Sequence, residues 1–519
     1  MTDLAQRALA RRGLLLSGGV LLASVPLSAS AATVSAGVNV KDYGAVGNGT
    51  TDDTAAIATA LASGRSVLFP AGTYLTGAQT IASAGQILFG EGVASIILAQ
   101  SATSNLFTVT ADHVGFQDLR LNGAATSNAN NTFAIFTFAA SPARYMTVER
   151  VVFSGADAVH GFNNAIKFDT NSSYASVVNC KIDRLFGSIS GTGYGVLCGQ
   201  ATACKVVDNW MQASSGRGRH GVYLGAGTSD CLVQGNSISG FDFEGITQYA
   251  NGVQPGCANN TIIGNSVSSC VLSGNASSGA IGVYGHSSWA LISCNSVSNS
   301  GAKGIVIDGT GFTDCMDTVI DGNTVVNSAL IGIDVIAGVR GSVSNNLIRE
   351  SSLASAGVSS NIRLASDGTT ASSGFLVTAN NSSGPVYSRS AFQLNATAPV
   401  PFNLTVTGNK FEPCNLTTTE LGGVACAIDG RYRYSIPIAP PSLAKGASYS
   451  LGGLSIPGAV PGDTLAWSYR GYSGNCDGCI MTVAITSTGL AEYVIANLSA
   501  ATKTPTAGTL DIDVFKRAY

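Results

Sequence analysis

A short pattern that recurs along the chain limits the folds open to it. Segments related to Val-x-Gly-Asn-x-Ile return with a mean spacing of about 29 residues, and their asparagines stand at positions 209, 236, 265, 295, 323, 346, 380 and 409. A repeat of this length holds a few short strands and turns, and it cannot bury its apolar face until the next repeat covers it. The pattern therefore predicts a β-solenoid in which the asparagine amides stack as a ladder.

The composition agrees with many short strands and tight turns. The 519 residues include 63 glycines, 45% are hydrophobic and only 11% are charged, which is enough apolar material for a continuous core. The net charge of -3 argues against a general nucleic-acid binder, because such proteins need a basic surface. Beyond the N-terminal segment no apolar run is long enough for a transmembrane helix, so no membrane partner is predicted.

Residues 1–31 carry the pattern of an export signal. Arg11 and Arg12 precede an apolar run from Leu14 to Leu27, and Ala29-Ser30-Ala31 provides the small residues that a signal peptidase cleaves after. The paired arginines favour a Tat-like signal peptide, with Sec export as the alternative. The mature protein is therefore predicted to be periplasmic or secreted.

Twelve cysteines in an exported chain allow disulfides. Three spacings are close enough to suggest pairs, namely Cys198 with Cys204, Cys414 with Cys426, and Cys476 with Cys479. A zinc site at Cys476 and Cys479 is the competing interpretation, but the tail offers no further Cys or His ligand nearby. We favour disulfides or buried free thiols.

A second strand precedes each repeated asparagine and predicts an outward ledge. Alternating apolar pairs such as Ile166/Phe168, Val222/Leu224 and Ile305/Ile307 face the interior, so the residue between them faces out. The predicted outward column consists of Lys167, Leu197, Tyr223, Thr247, Tyr284, Val306, Asp334, Arg363 and Gln393. The next outward column is predicted to consist of Asp169, Gly199, Gly225, Tyr249, His286 and Asp308.

The N-terminal part of the predicted solenoid carries a recognisable signature. A glycine-rich turn runs from Val38 to Thr54, a short helix is predicted over Ala55–Leu61 with Asp52 or Asp53 as its cap, and an apolar strand from Val67 to Tyr74 contains Pro-x-Gly. This stretch resembles the N-terminal signature of the pectate-lyase superfamily, which many phage tailspikes share. The resemblance implies an all-β, right-handed parallel β-helix over residues 36–430, plugged by the helix, and a carbohydrate substrate.

The character of the chain changes after about residue 430. Strand-like alternation recurs at Thr464–Tyr469, Met481–Ile485, Tyr493–Ala496 and Leu510–Phe515, which predicts a small antiparallel β-sandwich over residues 431–519. The resemblance to tailspikes implies a trimerisation role for such a tail, and hence a homotrimer. A carbohydrate-binding module is the alternative.

The densest chemistry lies in the segment Arg217-Gly218-Arg219-His220-Gly221-Val222-Tyr223. Two arginines beside a histidine and a tyrosine suit β-elimination on a uronic acid, because Arg pairs with the sugar carboxylate and acidifies the adjacent C5 proton. His220 or Tyr223 would take that proton, and Tyr223 or Tyr284 would protonate the leaving oxygen. The Arg-His-Gly-x-Tyr stretch resembles β-helix polysaccharide lyases and phage depolymerases.

The register adds residues from neighbouring rungs to this segment. Glu244 is predicted to lie level with His220, and Lys303 farther along the same column. The predicted catalytic residues are Arg217, Arg219, His220, Tyr223 and Glu244. The predicted substrate-binding residues are Lys167, Tyr249, Tyr284, His286, Lys303 and Asp308. The predicted partner is an anionic polysaccharide, with no metal or other cofactor; calcium is not favoured because Asp169, Glu244 and Asp308 are spread over several rungs.

Two other functions remain open. A glycoside hydrolase would use paired carboxylates drawn from Glu244, Asp308, Asp242 and Asp169, although the complete residue set of the polygalacturonases is missing, as is the Asp-Pro-His-Asp motif of mannuronan epimerases. A binding protein or adhesin would need only aromatic and polar residues on the ledge, with His220 as a solvated turn residue and Tyr223 as a stacking platform.

Overall fold

The computed structural model describes residues 37–515 apart from short segments of the loops and of the tail. Those segments are 127–129, 139–142, 156, 158, 171, 188–191, 214–216, 251, 253–254, 396–400, 402, 415–416, 421–426, 429–430, 457–458 and 471–476. The predicted signal peptide, Cys426 and Cys476 therefore lie outside the described residues. No helix in the described ranges is long and apolar enough to cross a membrane.

The described chain is a right-handed parallel β-helix whose rungs add in turn to three sheets, followed by small antiparallel sheets. The strands of successive rungs pair in parallel, for example Val222 beside Ile246 and Ile305 beside Ile333. The register shifts within two pairs, between Asn48 and Asp52 and between Ser382 and Gly384. Sheet C, the ledge predicted from the sequence, contains Gln79–Ile81, Phe107–Val109, Phe133–Thr137, Asn164–Phe168, Tyr194–Cys198, His220–Gly225, Ile246–Ala250, Gly279–Gly285, Lys303–Asp308, Ile333–Ile336, Ile362–Ala365, Ser390–Leu394 and Thr417–Glu420.

The other two sheets complete each rung. The parallel part of sheet A contains Val38–Asn39, Val67–Phe69, Ile87–Gly90, Gly115–Gln117, Thr147–Glu149, Ser176–Val178, Lys205–Val207, Leu232–Gln234, Cys257–Ala258, Thr261–Ile263, Ser287–Ser288, Leu291–Ser293, Met316–Asp321, Val339–Ser344, Ser373–Thr378, Thr405–Thr407 and Ala427–Ile428. Sheet B contains Asn48–Asp52, Gly72–Thr76, Ser95–Ala99, Arg120–Gly123, Val152–Gly155, Lys181–Ile182, Trp210–Gln212, Ser237–Ser239, Ser266–Ser268, Ser296–Ser298, Thr324–Val326, Leu347–Arg349, Asn381–Gly384 and Lys410–Cys414.

The asparagine repeat forms the predicted ladder. Each side-chain amide nitrogen from Asn209 to Asn380 donates to the side-chain oxygen of the next asparagine, over 2.9 to 3.0 Å. All members are buried except the last, Asn409. The ladder satisfies polar groups inside the turn between sheets A and B, so the apolar interior can continue from rung to rung.

The N-terminal end is closed by the helix Thr54–Ala62, whose Ile57 and Leu61 pack into the core. The 3₁₀ turn Val40–Tyr43 contacts this helix, and a second 3₁₀ turn, Gly92–Ala94, connects the strands Ile87–Gly90 and Ser95–Ala99. The predicted cap by Asp53 is wrong, because its buried carboxylate accepts instead from the backbone N–H groups of Val46 and Gly47, at 2.7 and 3.1 Å. Asp52 accepts from the backbone of Thr54.

The antiparallel tail follows the last rung. Strands Arg431–Ile438, Thr464–Arg470 and Gly508–Phe515 extend sheet A in the antiparallel sense, and Ser448–Ser455, Cys479–Ser487 and Leu490–Asn497 form a separate sheet. These strands enclose a second apolar cluster that includes Leu454, Tyr493 and Ile512.

The described cysteines are free thiols rather than disulfides. Cys198 and Cys204 carry thiols in this structure, as do eight further described cysteines, most of them buried. The predicted Cys198 to Cys204 disulfide is therefore absent, and the buried-thiol alternative describes both residues. The other two predicted pairs each include an undescribed residue.

Candidate functional site

The outward face of sheet C carries the predicted ledge with one correction of register. Lys167, Leu197, Tyr223 and Thr247 follow one another on successive rungs as predicted. On the next rung the partner of Thr247 is Gly282, and Tyr284 instead pairs with Tyr249 and Asp308. The prediction that put Tyr284 in the first column and His286 in the second is wrong, because Ile281 and Val283 are the inward pair there.

Part of the predicted ledge is not accessible. Thr247, Val306 and Asp334 occupy outward positions but are buried. Next to Thr247, the ring of Tyr284 lies across Gly282, since a Cβ atom at Gly282 would be only 2.3 Å from Tyr284 Cε2. Lys167, Leu197 and Tyr223 are partly exposed on adjacent rungs, as are Arg363 and Gln393 farther along the solenoid.

His220 and Glu244 lie side by side, as the register predicts. His220 pairs with Tyr194 on the preceding strand of sheet C, and its Nδ1 atom lies 3.0 Å from Oε2 of Glu244. The angle at Nδ1 is outside the range of a hydrogen bond, so the contact is electrostatic. Each side chain is only 6% exposed, which contradicts the alternative of a solvated turn residue at position 220.

The second oxygen of Glu244 binds Tyr284. The Tyr284 hydroxyl donates to Oε1 of Glu244 at 2.8 Å and accepts from the backbone N–H of Gly279 at 3.1 Å. Tyr284 reaches Glu244 because it folds back over Gly282, which has no side chain. The carboxylate therefore connects His220 and Tyr284.

The protonation of this group follows from its surroundings. Burial alone would raise the pKa of Glu244, but its contact with His220, the charge of His220 and the hydrogen bonds from Tyr284 and Ser278 outweigh burial and hold that pKa below its ordinary value. Burial raises the pKa of Tyr223 and of Tyr284 well above the ordinary value. At neutral pH Glu244 is ionised and both phenols keep their protons.

The two arginines of the predicted catalytic segment lie over aromatic rings. The guanidinium carbon of Arg217 is 4.2 Å from the centre of the Phe186 ring, and that of Arg219 is 4.5 Å from the centre of the Phe243 ring. Neither guanidinium contacts a carboxylate of a described residue, and Arg219 Nε is buried with no hydrogen-bond partner in the described ranges. Both charges are thus available to an anion.

Tyr194 belongs to this cluster although it was missed at the level of the sequence. Its ring stacks on His220, with centroids 5.5 Å apart and planes 10° apart, and it meets Tyr223 edge-on at 5.2 Å. Tyr194 stands two residues before the inward Val196, as His220 stands two before Val222. This shared position was the signal that would have identified it.

Several predicted substrate-binding residues have other partners. Lys303 Nζ lies 2.8 Å from Asp334, whose buried carboxylate also binds Arg363 through two contacts of 2.8 Å. His286 pairs with Asp314 at 2.6 Å, and Asp308 accepts from the backbone of Thr310. The structure therefore does not place Lys303, His286 or Asp308 beside His220 through any direct contact.

The remaining predicted residues line an open groove. It has a volume of about 400 Å³ and is lined by Lys167, Asp169, Thr170, Tyr194, Leu197, Gly199, Gln200, Tyr223, Gly225, Ala226 and Tyr249. Tyr194 and Tyr223 line this groove and also contact the ring of His220. In the described part of the chain, no group of three or more His, Cys, Asp or Glu side chains is placed to hold a metal ion.

A family model described as rhamnogalacturonase A/epimerase, pectate lyase-like, matches residues 37–306, which is more than half of the chain. The chain belongs to this family. The match begins with the N-terminal cap and ends within the Lys303 strand of sheet C, so it includes every rung that supplies a residue of the cluster around His220. The family membership agrees with the predicted pectate-lyase-like fold.

Known structures show the same fold for this pectate lyase-like chain. The Dettilon tailspike protein is 13% identical, with a TM-score of 0.58 over 92% of this chain and 94% of its own. A mutant of the tailspike protein of E. coli bacteriophage HK620, in complex with a pentasaccharide, is 11% identical, with a TM-score of 0.52 over 93% and 94%. At these identities the likeness concerns the fold alone.

One curated protein also matches a short stretch. The non-secreted LysM effector LysM19 of Penicillium expansum is 41% identical over an alignment of 96 residues, and the match covers 15% of this chain and 8% of that protein. The chain thus spans less than a tenth of the length of the curated relative it matches.

Proposed function

We propose that this protein is an exported polysaccharide lyase that cleaves a uronic-acid-containing polysaccharide by β-elimination on the outer face of sheet C. The observation that carries the proposal is that Arg217 and Arg219, which contact no carboxylate of a described residue, lie next to a buried His220 and a protonated Tyr223. Family membership supports a polysaccharide as the substrate class. Export rests on the sequence of residues 1–31.

The arginines supply the first requirement of β-elimination. A guanidinium that binds the uronate carboxylate stabilises the negative charge that develops there when the C5 proton leaves. Arg217 is exposed and Arg219 is half-buried, and each guanidinium lies over a phenylalanine ring. Both side chains are oriented before any substrate arrives.

The proton transfers are assigned to His220 and Tyr223. His220 takes the C5 proton, the electrons of that bond form the C4–C5 double bond, and the C4–O bond breaks. Tyr223 lines the groove and keeps its proton at neutral pH, so it donates to the departing glycosidic oxygen. The 6% exposure of His220 suits a base that substrate reaches at one edge of the ring.

Glu244 is assigned a positioning role rather than a direct one. It is buried, ionised at neutral pH and in contact with both His220 and Tyr284. A carboxylate in that state stabilises the imidazolium that forms when His220 takes a proton. It is poorly suited to act as the general acid of a glycoside hydrolase, which needs a raised pKa.

The carboxylates of the hydrolase alternative are also engaged elsewhere. Asp169 pairs with Lys167 at 2.9 Å, and Asp308 accepts from a backbone N–H group. Asp242 is buried. These contacts favour the lyase over the hydrolase.

The test is an incubation of the mature protein with a panel of uronic-acid polysaccharides, followed by ultraviolet absorbance of the unsaturated product. We expect His220→Ala and Tyr223→Phe each to lower kcat by about 10²- to 10⁴-fold. The matched controls His160→Ala and Tyr387→Phe change side chains away from the groove and should keep full turnover. Full turnover in His220→Ala and Tyr223→Phe contradicts the assignment of roles. Release of reducing ends without an unsaturated product would indicate a hydrolase. Binding of a polysaccharide without release of any product would indicate an adhesin.

A further inference from the structure

The imidazole of His220 is in contact with three aromatic rings. The ring of Tyr194 stacks on it, with centroids 5.5 Å apart and planes 10° apart. The rings of Tyr223 and Phe243 have centroids at 5.2 and 5.8 Å, and their planes are inclined to the imidazole by 66° and 42°. Of the three rings, Tyr194 is therefore the one that lies parallel to the imidazole and covers a face of it.

The carboxylate of Glu244 does not fix the plane of the imidazole by itself. Oε2 of Glu244 lies 3.0 Å from Nδ1 of His220, but the angle at Nδ1 is outside the range of a hydrogen bond. Such a contact attracts the ring without setting its rotation. Offset-parallel stacking is a preferred arrangement of aromatic pairs, because the positive edge of one ring lies over the negative face of the other. The stack with Tyr194 therefore supplies the orientation that the carboxylate does not.

Tyr194 is itself held in place from the rungs on both sides. The backbone N–H groups of Gly193 and Tyr194 both donate to Oδ1 of Asn164, at 2.7 and 3.1 Å, and Asn164 is fully buried. On the other side, the carbonyl of Gly193 accepts from the backbone N–H groups of Arg219 and His220, at 2.8 and 3.0 Å. The same short segment thus ties the ring of Tyr194 to the backbone that carries the imidazole.

The ring of Tyr194, rather than its hydroxyl, makes the contact with His220. Burial raises the pKa of Tyr194, and the charge of Arg219 opposes this rise. The phenol therefore keeps its proton at neutral pH, and the stacked ring carries no charge. The ring and the hydroxyl can be separated by substitution, since Tyr194→Phe keeps the ring and removes the hydroxyl.

We infer that Tyr194 is a positioning residue, whose ring holds the imidazole of His220 in the orientation from which it takes a proton. The role of His220 as the base rests on the proposed function, whereas the orientation of its ring does not. Tyr194 also lines the groove, so a direct contact with the sugar is the other role open to it. The two roles differ in their kinetics, because loss of a sugar contact raises KM and loss of positioning lowers kcat.

The first test observes His220 without any substrate. The chain has four histidines, so nuclear magnetic resonance of the mature protein with ¹³C-labelled histidine gives few signals, and His220 is the one missing from His220→Ala. We expect one narrow signal in the wild type and in Tyr194→Phe. Tyr194→Leu should give a broadened or split signal, because the imidazole then samples more than one orientation, which relaxation dispersion detects.

Tyr174→Leu is the matched control, because it also removes a stacked tyrosine. The ring of Tyr174 lies on that of Tyr145, with centroids 4.9 Å apart and planes 7° apart. This substitution should leave the His220 signal unchanged. A single narrow His220 signal in Tyr194→Leu would overturn the inference. If Tyr194→Leu does not fold, Tyr194→Met replaces it, since methionine also fills the space without a ring.

The second test measures turnover on a polysaccharide that the wild type cleaves. We expect Tyr194→Leu to lower kcat by about 10²-fold with little change in KM, while Tyr194→Phe and Tyr174→Leu keep most of the turnover. A raised KM with unchanged kcat in Tyr194→Leu would overturn the inference in favour of a sugar contact. An equal loss of kcat in Tyr194→Phe would overturn it in favour of the hydroxyl.

The two tests separate this inference from the lyase proposal. If no polysaccharide yields an unsaturated product, the lyase proposal fails, and the resonance of His220 still decides whether Tyr194 orients the imidazole. If the wild type cleaves and Tyr194→Leu matches it in kcat, KM and the His220 signal, the lyase proposal stands and the positioning role is refuted.

Discussion

The hydroxyl of Tyr284 donates a hydrogen bond of 2.8 Å to Glu244, although 40 residues separate the two in sequence. The same carboxylate lies 3.0 Å from Nδ1 of His220. Three successive rungs of sheet C thus contribute one residue each to a buried polar group. Because Tyr284 reaches Glu244 only by lying across Gly282, the arrangement depends on a residue that has no side chain.

Gly282→Ala is expected to displace Tyr284. The new Cβ atom would lie 2.3 Å from Tyr284 Cε2, so the ring must move and its hydrogen bond to Glu244 is lost. We expect a loss of about 1–3 kcal/mol in the free energy of unfolding, measured by urea denaturation, and lower activity on any cleaved substrate. Gly452→Ala, with open space around its Cβ position, should leave both unchanged. Wild-type stability in Gly282→Ala would show that Tyr284 is not held in this way.

Glu244 should make stability depend on pH in the acid range. Its pKa is lower in the folded protein than its ordinary value of 4.5, so the unfolded chain binds the proton more tightly. The stabilisation is therefore complete above pH 4.5 and is lost as the pH falls through the lower folded value. We expect the difference in unfolding free energy between the wild type and Glu244→Gln to be constant near neutrality and to shrink below pH 4.5. A difference that grows as the pH falls would contradict this sign.

Asp334 is expected to be necessary for stability because it neutralises two cations. Its side chain is fully buried and contacts Lys303 and Arg363, and Lys303 is itself only 6% exposed. Asp334→Asn leaves a buried ammonium without its counter-charge, which costs about 3–5 kcal/mol. Asp317→Asn breaks a surface ion pair with Arg340, whose side chain is 57% exposed. This change should lower the free energy of unfolding by only about 0–1 kcal/mol. Thermal and urea unfolding of the two variants would measure the contrast, and equal effects would refute it.

The asparagine ladder should be sensitive to the loss of a single member. Asn295 donates to Ile262 and Asn323 and accepts from the backbone and side chain of Asn265. Asn295→Ala leaves buried groups on both neighbouring rungs unsatisfied, and we expect a cost of about 1–3 kcal/mol. Ser296→Ala changes the adjacent exposed residue and should have little effect. A melting temperature for Asn295→Ala equal to that of Ser296→Ala would show that water replaces the missing amide.

The rung architecture could be predicted because each rung carries its own short sequence pattern, and that pattern recurs along the chain. Each rung repeats the same apolar alternation and the same asparagine, so the pattern is consistent only with stacked strands and an amide ladder. The pairing of His220 with Glu244 followed from the same register. The N-terminal signature added the right-handed parallel β-helix, which the family match and the tailspike structures then supported.

The exact column of a residue was decided by the tertiary structure where the sequence allowed two registers. A period of two fits either Gly282 or Tyr284 as the outward residue of that strand, and a shift by two residues leaves every inward position apolar. Only pairing with the neighbouring rungs places Tyr284 beside Tyr249 and Asp308.

The sequence by itself thus determined the repeating backbone, the apolar residues of the interior and the set of side chains on the outward face of sheet C. The tertiary structure alone decided which of those side chains are buried, ion-paired or open to a ligand. Asp334 and Lys167 are both outward by sequence, yet Asp334 is enclosed between two cations and Lys167 lines the open groove. The physical reason is that burial and charge pairing depend on neighbours one rung away, about 30 residues distant along the chain, which a local pattern does not specify.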